Sequence, residues 1–384
     1  MFNTMIDRIF EGYTFSKTAE RVRAFRREHP SVDLVSLSIG DVSCPIVRPV
    51  LDAMHEAVED LGKMETFSGY GNYYGIDSLR EAIAKNEYAP FGFTKEEIYV
   101  GDGTKSDSVN LLELFSPDAK ILIGDPMYPI YRNGAYALSR EVYTTPLDDR
   151  YVPVIPEEHY DVVYLCSPSN PTGNAYTKEE LKPWIDYALK EKAVILFDNV
   201  YHCFMREEAP ASVYEIEGSR NCVIELRSFS KIASFTGLRC SYLVLPKQID
   251  TKRWKERTIN RFNGASYVAQ KGAEAVYLPK SQALIKENIA RYRENTRFLK
   301  ESFEALGYEV NGGVDAPYLW IRVPEGMDSL GLFELFLNEC HVVVVPGLVF
   351  GKGGDDHFRV SGLGTIDRSR EAMRRISEYH EKVR

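Results

Sequence analysis

No stretch of the chain is apolar enough, for long enough, to cross a bilayer. Residues 1–10 include Asp7 and Arg8 and contain no continuous apolar run, so the start does not read as a secretory signal. Basic residues are outnumbered, 47 Lys and Arg against 56 Asp and Glu, and the net charge is −9. Such a chain repels phosphate backbones, which argues against a nucleic-acid partner. There are only six cysteines, Cys44, Cys166, Cys203, Cys222, Cys240 and Cys340, and none forms a CxxC pair. Several sit within apolar runs, as expected of reduced, buried thiols in a cytoplasmic protein. The seven histidines make no HExxH spacing, so no metal is expected. Internal repeats and low-complexity tracts are lacking as well.

What remains is a 384-residue chain, 44% hydrophobic and 27% charged. That is enough for one large domain with a substantial core and a smaller second one. In the middle, short apolar runs alternate with amphipathic stretches, the pattern of βαβ units around a mostly parallel sheet. Strands are expected at 98–100, 121–123, 162–166, 194–197 and 222–226. Before the fourth, Thr177 and Glu180 form a capping box, and Leu181, Trp184, Ile185 and Ala188 follow at helical spacing. Beyond about Lys271 come a charged helix over 281–306, the run Ala316-Pro317-Tyr318-Leu319-Trp320-Ile321, another helix and a strand at 341–345. The division expected is an N-terminal arm and helix (1–33, the helix near 18–25) joining a smaller α+β domain (271–384), with a large α/β domain at 34–270.

Open parallel sheets bind ligands at the carboxyl ends of their strands. There the sequence places Gly101-Asp102-Gly103-Thr104-Lys105, Asp125-Pro126-Met127-Tyr128, Ser167-Pro168-Ser169-Asn170-Pro171-Thr172-Gly173, Asp198-Asn199-Val200-Tyr201 and Ser228-Phe229-Ser230-Lys231. Five successive strands thus end in polar or aromatic residues suited to one ligand.

Most lysines are solvated surface charges. Lys231 follows two hydroxyl residues after an apolar strand, and Arg239 stands eight residues on, past a Thr236-Gly237 turn. A lysine amine can form a Schiff base with an aldehyde cofactor. Ser228, Ser230 and Arg239 would clamp that cofactor's phosphate. Gly103-Thr104-Lys105, opening a helix over 106–115, offers backbone N–H groups to the same phosphate. The glycine pair also fits a tight turn, or the start of a dinucleotide fingerprint with Asp125 as its acid, although Ser106 stands where the third glycine belongs. Asp198 is either a turn or cap residue or the partner of a protonated pyridine nitrogen. Asn170 and Tyr201 are placed to bond a ring phenolate oxygen, and Tyr128 is either a core aromatic or a ring-stacking one. Either proline bond, Ser167-Pro168 or Asn170-Pro171, could be cis. The cofactor that joins these roles is pyridoxal 5′-phosphate.

Ser-Pro-x-Asn-Pro-Thr-Gly, Asp-x-x-Tyr, Ser-x-Ser-Lys and Gly-x-Arg, in this order, resemble the class I/II aminotransferases of pyridoxal-phosphate fold type I. Ser38-Ile39-Gly40-Asp41, Gly69-Tyr70-Gly71, Phe235-Thr236-Gly237-Leu238-Arg239, Phe262-Asn263-Gly264-Ala265-Ser266, Tyr292-Arg293-Glu294-Asn295 and Ala316-Pro317-Tyr318-Leu319-Trp320 are similar to the LL-diaminopimelate aminotransferase family. The resemblance implies further roles. Arg359 would bind the substrate α-carboxylate; Tyr13 and Gly40 would line the substrate pocket. Thr104 and Lys105 would touch cofactor phosphate and the distal end of the substrate, and Tyr128 and Asn170 would also face substrate. Tyr70 and Asn263 would reach the site from the neighbouring subunit of a homodimer, in a cytoplasmic enzyme of amino-acid metabolism and lysine biosynthesis. The acidic residue that the family carries two positions after Gly-Tyr-Gly is replaced by Tyr73.

The reaction expected is ping-pong transfer of an α-amino group to a 2-keto acid, from LL-diaminopimelate to 2-oxoglutarate. An aminotransferase for another amino acid and a carbon–sulfur β-lyase share the same cofactor residues. A nicotinamide dehydrogenase and a pyridoxal-phosphate-sensing regulatory domain are the readings from other classes.

Overall fold

A computed structural model describes residues 2–12, 14–206 and 209–383 of the chain. β1 (Val35–Ser36) is a two-residue strand. The large sheet follows, formed by β2 (Ile98–Gly101), β3 (Ile121–Asp125), β4 (Val142–Pro146), β5 (Val162–Cys166), β6 (Val194–Asp198), β7 (Val223–Ser228) and β8 (Ser241–Val244). Its order is β2-β8-β7-β6-β5-β3-β4. Only β8 runs antiparallel to its neighbours, so the sheet is mixed and mostly parallel. All five residues of β5 are buried, because one core layer packs on each face. Leu165, Phe197 and Val223 belong to one cluster, and Tyr164, Leu196 and Ile224 to the other. That is why these strands read as unbroken apolar runs.

Downstream, β9 (Val310–Gly312), β10 (Tyr318–Arg322), β12 (Val345–Pro346) and β13 (His357–Ser361) form an antiparallel sheet in the order β12-β13-β10-β9, while β11 (Val342–Val343) pairs with β1. The expected strand at 341–345 is therefore two strands in different sheets. His341 has φ 54°, and the valine run that follows it passes from one ladder to the next. A separate buried cluster joins Phe25, Leu34, Val35 and Leu37 to Leu299, Phe303, Leu319 and Phe358. The N-terminal helix that supplies Phe25 spans Phe15–Glu28 and is capped by Thr14, whose Oγ1 accepts from the Lys17 N–H at 3.3 Å. The charged helix is Pro279–Ala305.

The capping box forms as read: Thr177 N–H donates to Glu180 at 2.7 Å, and Glu180 N–H to Thr177 Oγ1 at 3.2 Å. The helix after Gly103 opens two residues earlier than expected, at Thr104, and is α-helical only to Asn110 before a 3₁₀ turn over Leu111–Leu114. The Ser167–Pro168 and Asn170–Pro171 bonds are both cis, as is Asp125–Pro126. No helix among the described residues is long and apolar enough to cross a membrane.

Candidate active site

A cleft of about 670 Å³ opens at the carboxyl ends of the parallel strands and gathers Gly40, Thr104, Lys105, Tyr128, Asn170, Asp198, Tyr201, Ser228, Ser230, Lys231, Arg239 and Arg359. These residues come from eight separate stretches of the chain. Tyr70 and Asn263 are exposed outside it, Tyr70 at 87%. Tyr13 lies outside the described residues. A second cleft of about 670 Å³, between the helix Pro279–Ala305 and the segment around Cys203 and Ile232, contains none of the expected residues.

Asp198 ends β6 and is buried. Its Oδ2 accepts from Tyr131 Oη at 2.6 Å and its Oδ1 from the Val200 N–H at 3.3 Å. Among the described residues no lysine, arginine or histidine pairs with it. Burial pushes its carboxyl up to about 6, against the two hydrogen bonds that favour the anion.

Arg359, on β13, presents the mirror case. It is buried without a described carboxylate partner. Nη1 donates to Asn170 Oδ1 at 2.8 Å, Nη2 to the Ser38 carbonyl at 3.0 Å, and Nε has no partner among the described residues. The rings of Tyr318, Phe350 and Phe15 stand 4.5, 5.1 and 5.8 Å from the guanidinium carbon, an environment that holds a cation without neutralising it.

One cleft thus holds a buried anion lacking a cation and a buried cation lacking an anion. Each would carry a desolvation penalty of several kcal/mol if left uncompensated. A ligand with a cationic nitrogen at one place and a carboxylate at another would relieve both.

Lys231 lies on the single helical turn Phe229–Ile232, and its Nζ donates to the Gly40 carbonyl. The turn is capped by Ser228, whose Oγ accepts from the Ser230 N–H at 3.0 Å. Arg239 adopts φ 59° and donates from Nη1 to the Thr236 carbonyl at 3.0 Å. Gly103 presses against that guanidinium: a Cβ there would come within 1.8 Å of Arg239 Nη2. The Gly103 N–H donates to Ser241 Oγ at 2.7 Å, and Ser241 Oγ donates at 2.5 Å to Asp107, whose carboxyl burial raises to about 7. Arg239, Ser228, Ser230 and Thr104 line the same cleft, and a guanidinium with hydroxyl groups is a donor set that can hold a dianion.

Tyr201 Oη and Tyr318 Oη are 2.9 Å apart. Tyr128 lies edge-on to Tyr131 at 5.8 Å, and burial raises its phenol to about 12. Tyr131, Tyr318, Phe15 and Phe350 were not among the residues expected here. The chain has 24 tyrosines, and because Tyr128 precedes the helix Ile130–Ala137 that carries Tyr131, helical spacing does not single out the second.

A sequence model of the family "Aminotransferase class I and II" matches residues 32–376. The chain is 42% identical to the LL-diaminopimelate aminotransferase of Bacteroides thetaiotaomicron, over 96% of this chain and 97% of that one. The same protein from Bacteroides fragilis is also 42% identical, over 95% and 96%. Among solved structures, the L,L-diaminopimelate aminotransferase of Chlamydomonas reinhardtii superposes with a TM-score of 0.93 at 31% identity, covering 99% of this chain and 98% of that one.

Proposed function

Because the chain belongs to the class I and II aminotransferases, we propose that its cleft holds pyridoxal 5′-phosphate on Lys231 and moves an amino group from LL-diaminopimelate to 2-oxoglutarate. The observation that carries the cofactor is the pair of uncompensated buried charges, Asp198 and Arg359, that line the same cleft as Lys231. Pyridoxal phosphate brings an aldehyde, a phosphate dianion and a cationic ring that accepts the electron pair left when an α-proton departs.

The residues fit that group one by one. Asp198 supplies the counter-charge for the ring nitrogen and meets there the cation it otherwise lacks. Arg239, Ser228, Ser230 and Thr104 surround the phosphate, with Lys105 beside them. Tyr201 and Asn170 would bond the ring oxygen, and Tyr128 would cover the ring. Lys231 Nζ would anchor the cofactor through its aldehyde and, when free, would take the substrate α-proton and return it.

Arg359 receives the α-carboxylate in a two-toothed contact, and its bond to Asn170 couples substrate position to ring position. Arg359→Lys keeps the charge without the fork and should lose about 10- to 100-fold in kcat/KM. Steady-state kinetics near wild type would move the anchor elsewhere.

Two chains are needed in this reading. Met64, Phe67 and Tyr70 are 92%, 64% and 87% exposed within seven residues, the kind of apolar display that a partner surface covers. Tyr70 and Asn263 would then complete the neighbouring subunit's site in a cytoplasmic homodimer, Tyr13 and Gly40 would line the substrate pocket, and the lysine pathway would be the setting.

Tyr73 stands where the family carries an acidic residue, and a neutral partner binds an ammonium about half as strongly as a charged one. The deciding experiment compares kcat/KM for LL-diaminopimelate, glutamate, aspartate and tyrosine, in the wild type and in Tyr73→Glu. LL-diaminopimelate should be the best donor, and Tyr73→Glu should favour it further by about 10- to 100-fold. If it is inert with both proteins, the substrate assignment is wrong and the general aminotransferase remains.

A further inference from the structure

Beneath the turn that carries Asp198 and Tyr201 lies a buried ionic network outside every role assigned so far. Glu225, on β7, is fully buried. Its carboxylate accepts from Asn199 Nδ2, Tyr88 Oη and Ser212 Oγ, each at 2.8 Å, and from Arg227 Nη2 at 3.4 Å. Arg227 also pairs with Glu87 at 2.7 Å. Glu87 accepts from Tyr242 Oη at 2.5 Å and from Tyr277 Oη.

Asn199 is the one side chain of this network that stands between Asp198 and Val200. Its N–H donates to the Leu226 carbonyl at 2.9 Å, and its carbonyl lies 3.1 Å from His202 Nδ1. The amide Oδ1 is buried without a partner among the described residues, so the bond to Glu225 is what orients this amide. The next N–H along, that of Val200, holds Asp198 Oδ1. Any shift of Asn199 is therefore passed to the Asp198 carboxylate on one side and to Tyr201 on the other.

We propose that Glu225 is a positioning residue for catalysis: acting through Asn199, it fixes the turn that presents Asp198 and Tyr201 to the cleft. The inference rests on reading those two residues as contacts of the cofactor ring. Glu225 keeps three donors when Asn199 is removed, so the network survives the loss of this link while the turn gains freedom. A misplacement of about 1 Å in a catalytic group is enough to cost on the order of 100-fold in rate.

The test uses the full chain loaded with pyridoxal phosphate and follows the pH midpoint of its visible absorption band, the pyridoxal phosphate dissociation constant, kcat, KM and the thermal midpoint. Asn199→Ala should lower kcat about 10- to 100-fold with little change in KM, and should move the band's pH midpoint. Tyr277→Phe, which loosens the far side of the network, should lower the thermal midpoint and leave both of those readouts alone. Glu225→Leu should reproduce the kcat loss and band shift of Asn199→Ala and also lower the thermal midpoint, because it strips Tyr88, Ser212 and Arg227 of an acceptor too. The double variant should be no slower than Glu225→Leu, because the Glu225–Asn199 bond is already cut, and if Glu225→Leu does not fold, Asn199→Ala decides. An Asn199→Ala protein with wild-type kcat and band midpoint, or a Tyr277→Phe protein shifted as much as Asn199→Ala, overturns the inference. A wild type that takes up no pyridoxal phosphate defeats the reading of the cleft itself, whereas a loaded wild type beside unchanged variants defeats this inference alone.

Discussion

Replacing Lys231 with alanine should reduce kcat by about 10⁴-fold or more, while the protein still takes up pyridoxal phosphate. The two effects separate because the contacts do. Arg239, Ser228, Ser230 and Asp198 all surround the cleft independently of the Lys231 side chain, so the phosphate and ring positions survive its removal. What disappears is the only nitrogen in the Phe229–Ile232 turn able both to hold the aldehyde carbon and to carry a proton. The wild type should be yellow, and borohydride should abolish its visible band and fix the cofactor to the peptide containing Lys231. A Lys231→Ala rate within tenfold of wild type, or a colourless wild type that ignores added pyridoxal phosphate, would remove the central role assigned here.

The parts of this site that could be read in the sequence are those that follow an apolar strand directly. Asp198 and Ser228 are themselves the last residues of β6 and β7, so a polar residue after an apolar run marks the sheet's carboxyl edge without any knowledge of the fold. The same logic fails for strands that are not buried on both faces. β4 (Val142–Pro146) is an edge strand with three of its five residues exposed, and its Tyr-Thr-Thr run carries no apolar signal. β8 escapes for another reason: it is buried throughout, but it is four residues long and antiparallel, and no helix-strand alternation announces it.

Contacts between distant segments were legible only as a family pattern. Asn170 and Arg359 are 189 residues apart and meet at 2.8 Å. Tyr318 reaches the cleft because β10 pairs with β13, with Tyr318 opposite Ser361 and Trp320 opposite Arg359. That register is a property of the folded sheet, and the sequence Ala-Pro-Tyr-Leu-Trp does not contain it. The same holds for Tyr131, whose hydroxyl meets Asp198 across 67 residues of sequence while its ring stacks on Tyr164 of β5.

Asp198→Asn should abolish most of the activity and at the same time stabilise the cofactor-free protein. The carboxyl sits near 6 in the fold against an ordinary 3.8, because burial with no described cation beside it raises it further than its two hydrogen-bond donors lower it. Between these two values the folded chain holds a proton that the unfolded chain has released, so stability falls as pH rises through that window. Above about pH 6 the full penalty stands, about 3 kcal/mol. Asparagine removes the charge and keeps the shape: its oxygen can accept from the Val200 N–H, and the Tyr131 hydroxyl can turn to accept from its nitrogen. Without cofactor, the variant should therefore melt a few degrees higher than wild type at pH 8, and the difference should vanish toward pH 4. With pyridoxal phosphate bound, the sign should reverse, because the proposed ring cation would meet a charge in Asp198 and none in asparagine. Loss of that preorganised charge should lower kcat by about 10²–10³-fold, with a smaller loss in cofactor affinity, since the phosphate contacts remain. Thermal melts of the empty and loaded forms at both pH values, beside single-turnover rates, separate the outcomes. An Asp198→Asn protein that is no more stable when empty and retains most of its rate would make Asp198 an ordinary turn residue at the end of β6.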